Sequence, residues 1–134
     1  MQELTPEEID AFLREQFVAR IGCHAEGETY VVPVIYAWDG ECAWVQSIEG
    51  RKTRMLRANP SVCMEVDEYR EGSWRSVILW GRYEELEGGD AERAVELLVE
   101  RFGGRRRERS TASSVVPVAF RIRRERATGR KVER

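Results

Sequence analysis

Histidine is almost missing from these 134 residues, with His24 the only one. A Ser-His-Asp hydrolase would have to be built on it, and there is no Gly-x-Ser-x-Gly elbow, so hydrolase chemistry has little support. Cysteine is scarce as well. Cys23, Cys42 and Cys63 are odd in number and far apart, with no Cys-x-x-Cys pair, which supports neither a disulfide framework nor a zinc site. They read as small buried hydrophobes of a reducing compartment. Long apolar runs are also lacking. The longest, residues 30–38, has nine residues even with Pro33 included, against about 20 for a membrane-spanning helix. The opening residues, Met1 to Glu8, are acidic and carry no apolar core. Neither a signal peptide nor a transit peptide is expected, and the expected location is cytoplasmic.

The length is that of one domain, expected to span 1–134, which buries about two thirds of the surface its unfolded chain exposes. The net charge of -2 conceals an asymmetry: residues 101–134 hold twelve Arg and Lys against three Glu. The stretch Arg105-Arg106-Arg107-Glu108-Arg109 could meet nucleic acid. However, only Phe102 and Phe120 stand near it, too few aromatics for base stacking, and later arginines read as the polar side of a strand. Nucleic acid is therefore not an expected partner.

Thr5-Pro6-Glu7-Glu8 is a helix start, with Thr5 as cap, Pro6 at the first helical position and Glu8 closing a capping box. Ile9, Phe12 and Leu13 then share one face. The period changes to two over 17–23, 29–38 and 42–47, separated by Glu26-Gly27 and Asp39-Gly40, which predicts three strands joined as hairpins. A short helix over 50–58 must end before Pro60. Strands follow over 61–67 and 74–87, the second with Gly81 as its bend or bulge. A helix over 90–102 is capped by Asp90, turns Val95, Leu98 and Val99 inward, and stops at Gly103-Gly104. A polar loop over 105–114 leads to a last strand over 115–123. The pattern is mainly β, a six-stranded antiparallel barrel with short helices.

Gly50-Arg51-Lys52-Thr53 opens the short helix. Cations in a first helical turn face the positive end of the helix dipole, a conflict that a bound anion would remove. Backbone N–H groups, a glycine that admits a ligand to the main chain, and an Arg-Lys pair are what a terminal phosphate requires. The alternative is a solvated basic helix face, with Glu49 alongside as local neutralisation.

Four segments in order, Val31-Val32-Pro33-Val34-Ile35-Tyr36, Ser47-Ile48-Glu49-Gly50-Arg51-Lys52-Thr53, Leu56-Arg57-Ala58-Asn59-Pro60 and Trp74 to Leu86 with its Arg75-Ser76-Val77 and Gly81, resemble the pyridoxamine-phosphate-oxidase-like FMN-binding split barrels. Within them the chain is most similar to the nitroimidazole-resistance branch. The resemblance implies an FMN-dependent oxidoreductase that is a homodimer, with the flavin between subunits. It places Ser47, Gly50, Arg51, Lys52 and Thr53 at the phosphate. Pro33, Val34, Ile35 and Tyr36 would lie along the ring, and Arg75, Ser76 and Trp80 would approach from the partner subunit.

Alternatives stay open at several positions. Pro33, Val34 and Ile35 suit any barrel core, Trp74 and Trp80 suit an interface, and Arg75 suits an inter-strand salt bridge. Gln46 stands where that branch often has histidine, and glutamine can hydrogen-bond to a ring but cannot transfer protons. F420 is a second possible cofactor. Haem is less favoured with His24 as the only histidine. A barrel that serves as a non-catalytic binding module, for F420, another ligand or nucleic acid, is the competing function.

Overall fold

The computed structural model describes residues 1–103 and 115–133. The expected polar loop and its arginine run, Arg105 to Arg109, lie outside them. The chain forms β1 (Gln2–Glu3), α1 (Pro6–Glu15), β2 (Val18–Ala25), β3 (Glu28–Ile35), β4 (Ala37–Trp38), β5 (Cys42–Ile48), α2 (Arg51–Ala58), β6 (Ser61–Arg70), β7 (Ser73–Glu85), α3 (Gly88–Phe102) and β8 (Pro117–Val132). All strand pairs are antiparallel, in the order β3-β2-β6-β7-β8-β5-β4, with β1 added to the end of β8. β3 runs directly into β4 through Tyr36, so the chain itself joins the two ends of the curled sheet without a ladder between them. That is a split barrel, with eight strands among the described residues where six were expected: the expected strand 29–38 is divided at Tyr36 into β3 and β4, and β1, of two residues, is too short to show a period of two.

The barrel interior is filled by alternate residues of each strand: Ala19, Ile21 and Cys23 from β2, Val62, Met64 and Val66 from β6, Val77, Leu79 and Tyr83 from β7, Ala43 and Val45 from β5. α1 closes one end with Ile9, Phe12 and Leu13, and its capping box forms as expected, Thr5 and Glu8 exchanging bonds of 2.9 and 3.1 Å. α2 closes the other end with Met55 and Leu56. α3 lies outside, where Ala94 packs with Cys42, Trp44 and Ala119. Its inward residues differ from expectation. Val95 and Val99 are exposed, and Glu87 rather than Asp90 occupies the cap position, because the helix starts two residues before Asp90 at Gly88. Cys23 and Cys42 are buried and Cys63 is partly so, all three as free thiols.

β8 runs nine residues beyond the expected end at Arg123. The reason is a bulge: Trp80 pairs with Arg126 but Gly81 pairs with Arg124, leaving Glu125 as the extra residue. Before it, Val118, Phe120 and Ile122 point inward; after it, Ala127 and Gly129 do. One inserted residue reverses the alternation of β8, so the strand loses its sequence period where it continues. β7 keeps its own alternation through Gly81, which must be glycine because a Cβ there would lie 2.3 Å from the Arg123 carbonyl oxygen. Replacing Gly81 by alanine is expected to destabilise the fold by about 1–3 kcal/mol through forced separation of the two backbones. Denaturant unfolding checks this, and a change within about 0.5 kcal/mol, the range of a neutral surface substitution, would refute the contact.

Candidate functional site

α2 begins where β5 ends. Its cap residue is Gly50, which offers no side chain, and its first turn contains no acidic residue. The first intrahelical bond runs from the Arg54 N–H to the Gly50 carbonyl at 3.2 Å, so the N–H groups of Arg51, Lys52 and Thr53 precede the helical ladder. Thr53 is fully buried. Its hydroxyl donates to the Gly50 carbonyl at 2.9 Å and accepts from the Gly50 N–H at 3.0 Å. The Thr53 side chain therefore shapes the turn and has no donor left for a ligand. Gly50 is extended rather than left-handed, at φ -178. A Cβ on it would meet no protein atom within 4 Å, so the space over this backbone is open.

The two cations differ in their surroundings. Arg51 is exposed, 3.7 Å from Glu28 and over the Tyr30 ring at 5.5 Å, a loose arrangement on a solvated surface. Lys52 is half-buried without an ion pair among the described residues, and burial alone draws its pKa below the ordinary lysine value. Glu49 does not neutralise this end. Its carboxylate grips Arg57, in the last turn of α2, through bonds of 2.9 and 2.7 Å, and Glu85 holds the same guanidinium at 2.7 Å. An uncapped helix start, open backbone and an unpaired lysine together form a donor set that fits a phosphate group.

The other expected positions separate by face and by end of the barrel. Ser47 shares the inward alternation of Ala43 and Val45 and leads into Gly50. Gln46 points the opposite way and lines a cleft against α3 with Leu86, Ala91 and Ala119. Val34 on β3 and Tyr36 just after it point into the core, and the Tyr36 hydroxyl donates to the Leu13 carbonyl at 2.8 Å. Pro33 and Ile35 point outward, Ile35 at 53% exposure and Val31 beside them at 62%. β3 also has one edge without a strand partner among the described residues, so its free main-chain groups can meet the polar rim of a planar ligand.

Arg75 and Ser76 sit at the far end of the barrel from α2. Arg75 lies over the Phe12 ring at 4.7 Å and forms ion pairs with Glu68 and with Glu15, 3.3 Å away. Ser76, next along β7, faces outward. Trp80 also faces outward, on a groove of about 460 Å³ with Gly22, Val31 and Cys63 on its floor and His24 and Asn59 at its rim. Within one chain this fold does not bring Arg75 and Ser76 to Arg51 and Lys52. The sequence reading did not mention Gly22 and placed neither Cys63, read as a buried hydrophobe, nor Asn59, read as part of a helix stop, at a site. Outward Cys63 was recoverable from the inward alternation of Val62, Met64 and Val66, whereas the bond from the Asn59 side chain to the His24 carbonyl, at 2.8 Å, depends on the fold.

Residues 5–131 match the family described as pyridoxamine 5'-phosphate oxidase. The chain belongs to that family. Among solved structures of similar fold is an FAD-binding protein from Mesorhizobium loti, 30% identical, with 99% of this chain and 97% of that one covered at a TM-score of 0.78. A 5-nitroimidazole antibiotic resistance protein assignment from Bacteroides thetaiotaomicron shares the fold at 20% identity, covering 97% of this chain and 86% of that one at a TM-score of 0.77. A Rhizobium meliloti protein is 32% identical over 84 residues, 62% of this chain; the match spans 56% of that relative's length. The pyridoxamine 5'-phosphate oxidase family thus encompasses nearly the whole chain, including the α2 start and the β7 segment.

The Thr53 bonds allow a direct check. Thr53→Val keeps the shape but leaves both Gly50 main-chain groups without their partner, and is expected to cost about 1–2 kcal/mol in denaturant unfolding. An unchanged midpoint would mean that the hydroxyl does not hold the turn.

Proposed function

We propose that this protein is a single-domain cytoplasmic flavoprotein, a homodimer binding FMN noncovalently and passing reducing equivalents from a nicotinamide donor to a small acceptor. The observation that carries the reading is the start of α2, with its uncapped N–H groups and a half-buried Lys52 lacking a carboxylate. Membership of the pyridoxamine 5'-phosphate oxidase family supports it.

In this reading the main-chain N–H groups of Arg51 and Lys52, with both side chains, hold the phosphate, and Ser47 lies at the approach from β5. Thr53 contributes by fixing the turn. The free edge of β3 offers main-chain groups to the ring, and outward Pro33 and Ile35 supply an apolar surface beside it. Ser76 and Trp80, on the outer face of β7, act on the site of the second subunit, and Arg75 supports β7 from within. Bound flavin supplies the hydride and electron chemistry; the protein binds it, orients it and excludes water. No described side chain is assigned as the acid or base.

The test is the absorption spectrum of the purified protein and chromatography of the cofactor released by heat. FMN at about one per subunit is the expected result; FAD or F420 would replace the cofactor while keeping the clamp. Arg51→Ala/Lys52→Ala is expected to remain a folded dimer and to lose its yellow colour. Undiminished flavin content in that variant would overturn the clamp.

A further inference from the structure

Glu49 directly precedes the Gly50 cap, and its main chain is fixed. Its N–H donates to the Val116 carbonyl at 2.8 Å, which ties the turn between β5 and α2 to the residue just before β8. The side chain has two places to go. At one stand the uncapped N–H groups of α2 with Arg51 and Lys52, where the helix dipole favours a carboxylate. At the other stands Arg57, about two turns along the helix. The Glu49 carboxylate is at Arg57.

A guanidinium used along two edges holds it there. Nη1 and Nη2 of Arg57 donate to Glu49 at 2.9 and 2.7 Å, and Nε and Nη2 donate to Glu85 at 2.7 and 3.0 Å. Paired bonds of this kind fix the plane of the guanidinium as well as its position. Glu85 also accepts from the Tyr83 hydroxyl at 2.6 Å, and the Tyr83 ring lies 5.0 Å from that of Phe120 in the core. Glu85 thereby anchors Arg57 to the end of β7, with the remaining edge of the guanidinium turned to Glu49. The Glu49 carboxyl is held below the ordinary glutamate range, by Arg57 first and in smaller part by Thr53 and Arg54, so it is charged at neutral pH. All three members of the network are partly exposed, so these pairs contribute little to folding.

We infer that Arg57 is a positioning residue that keeps the Glu49 carboxylate off the anion site at the start of α2. This rests on the phosphate reading of the proposed function and adds what stops the chain's own carboxylate from competing there. Released from Arg57, Glu49 turns to the first turn of the helix and takes the main-chain donors and the Lys52 charge that a phosphate would receive. A carboxylate one residue from the cap is present at high effective concentration, so it competes strongly with a ligand in solution. Two other roles for Arg57 give different results. A strap that braces the turn needs Glu49 as much as Arg57, and a long-range charge effect acts through each residue independently.

The experiment is a double-variant cycle on the full chain, with FMN affinity measured by equilibrium dialysis of the purified protein against FMN. Arg57→Met is expected to weaken FMN binding about tenfold, and Arg57→Gln likewise. Glu49→Gln alone is expected to change it by less than about twofold, and Arg57→Met/Glu49→Gln to return to within about threefold of the wild type. Far-UV circular dichroism and melting confirm that each variant is folded. A wild type that binds no FMN would overturn the phosphate reading itself. FMN binding that neither Arg57 variant alters would overturn the role of Arg57 while leaving that reading standing. So would a double variant no better than Arg57→Met, a Glu49→Gln loss as large as that of Arg57→Met, or a Glu49→Gln gain of equal size in both backgrounds.

Discussion

The close approach of the Gly81 backbone to the Arg123 carbonyl, and the bulge next to it, is the constraint on which the remainder of the protein depends. It lets β7 and β8 stay paired along twelve positions while β8 changes which of its faces looks inward. Without that change, Arg126 and Arg130 could not lie outside a barrel whose other half of β8 buries Val118, Phe120 and Ile122. The bulge also adds local twist and bend, which a small barrel needs to curl. β8 then has enough length to pair with β5 at one end and β1 at the other, tying the first residues of the chain to the last described ones.

The two ends of the barrel have different chemistry because different helices close them. α1 brings a satisfied capping box and a carboxylate, that of Glu15, to Arg75. α2 brings a glycine cap, basic residues in its first turn and a threonine whose hydroxyl is turned back onto the cap. Its last turn is neutralised by Glu49 and Glu85 around Arg57, whereas in its first turn Arg51 has only a loose contact with Glu28 and Lys52 has no carboxylate among the described residues. The helix thus concentrates unsatisfied donors at one point next to open backbone, which is where an anionic ligand gains most. In the proposed reading, stability and binding are divided along this helix of eight residues.

The outer face of β7 leaves several large side chains only half-buried in a single chain. Ser76 and Trp80 stand on it, Val31 and Ile35 are exposed beside it, and Arg51 and Lys52 occupy the far end from Arg75 and Ser76. Half-buried Ile78 and Trp80 are flanked there by Glu65 and Asp67 on one side and by Arg126 and Arg130 on the other.

The amino-acid sequence by itself determined the parts whose signals are local. The capping box at Thr5, the stop at Asn59-Pro60, the period of two through β2, β3 and β6, the special role of Gly81 and the charged start of α2 were all legible, because caps, turns and alternation act within a few residues. The family followed from those segments in order. What only the tertiary structure decided depends on distant partners. The length of β8 was hidden by a bulge that breaks its period, and the assignment of Glu49 to Arg57 needed a helix turned back on its own strand. The outward Val95 and Val99 followed from α3 lying on the outside of the sheet rather than in its core. The opposed rows of Glu65 with Asp67 and Arg126 with Arg130 are set by ladder register between strands far apart in sequence, which no local pattern encodes.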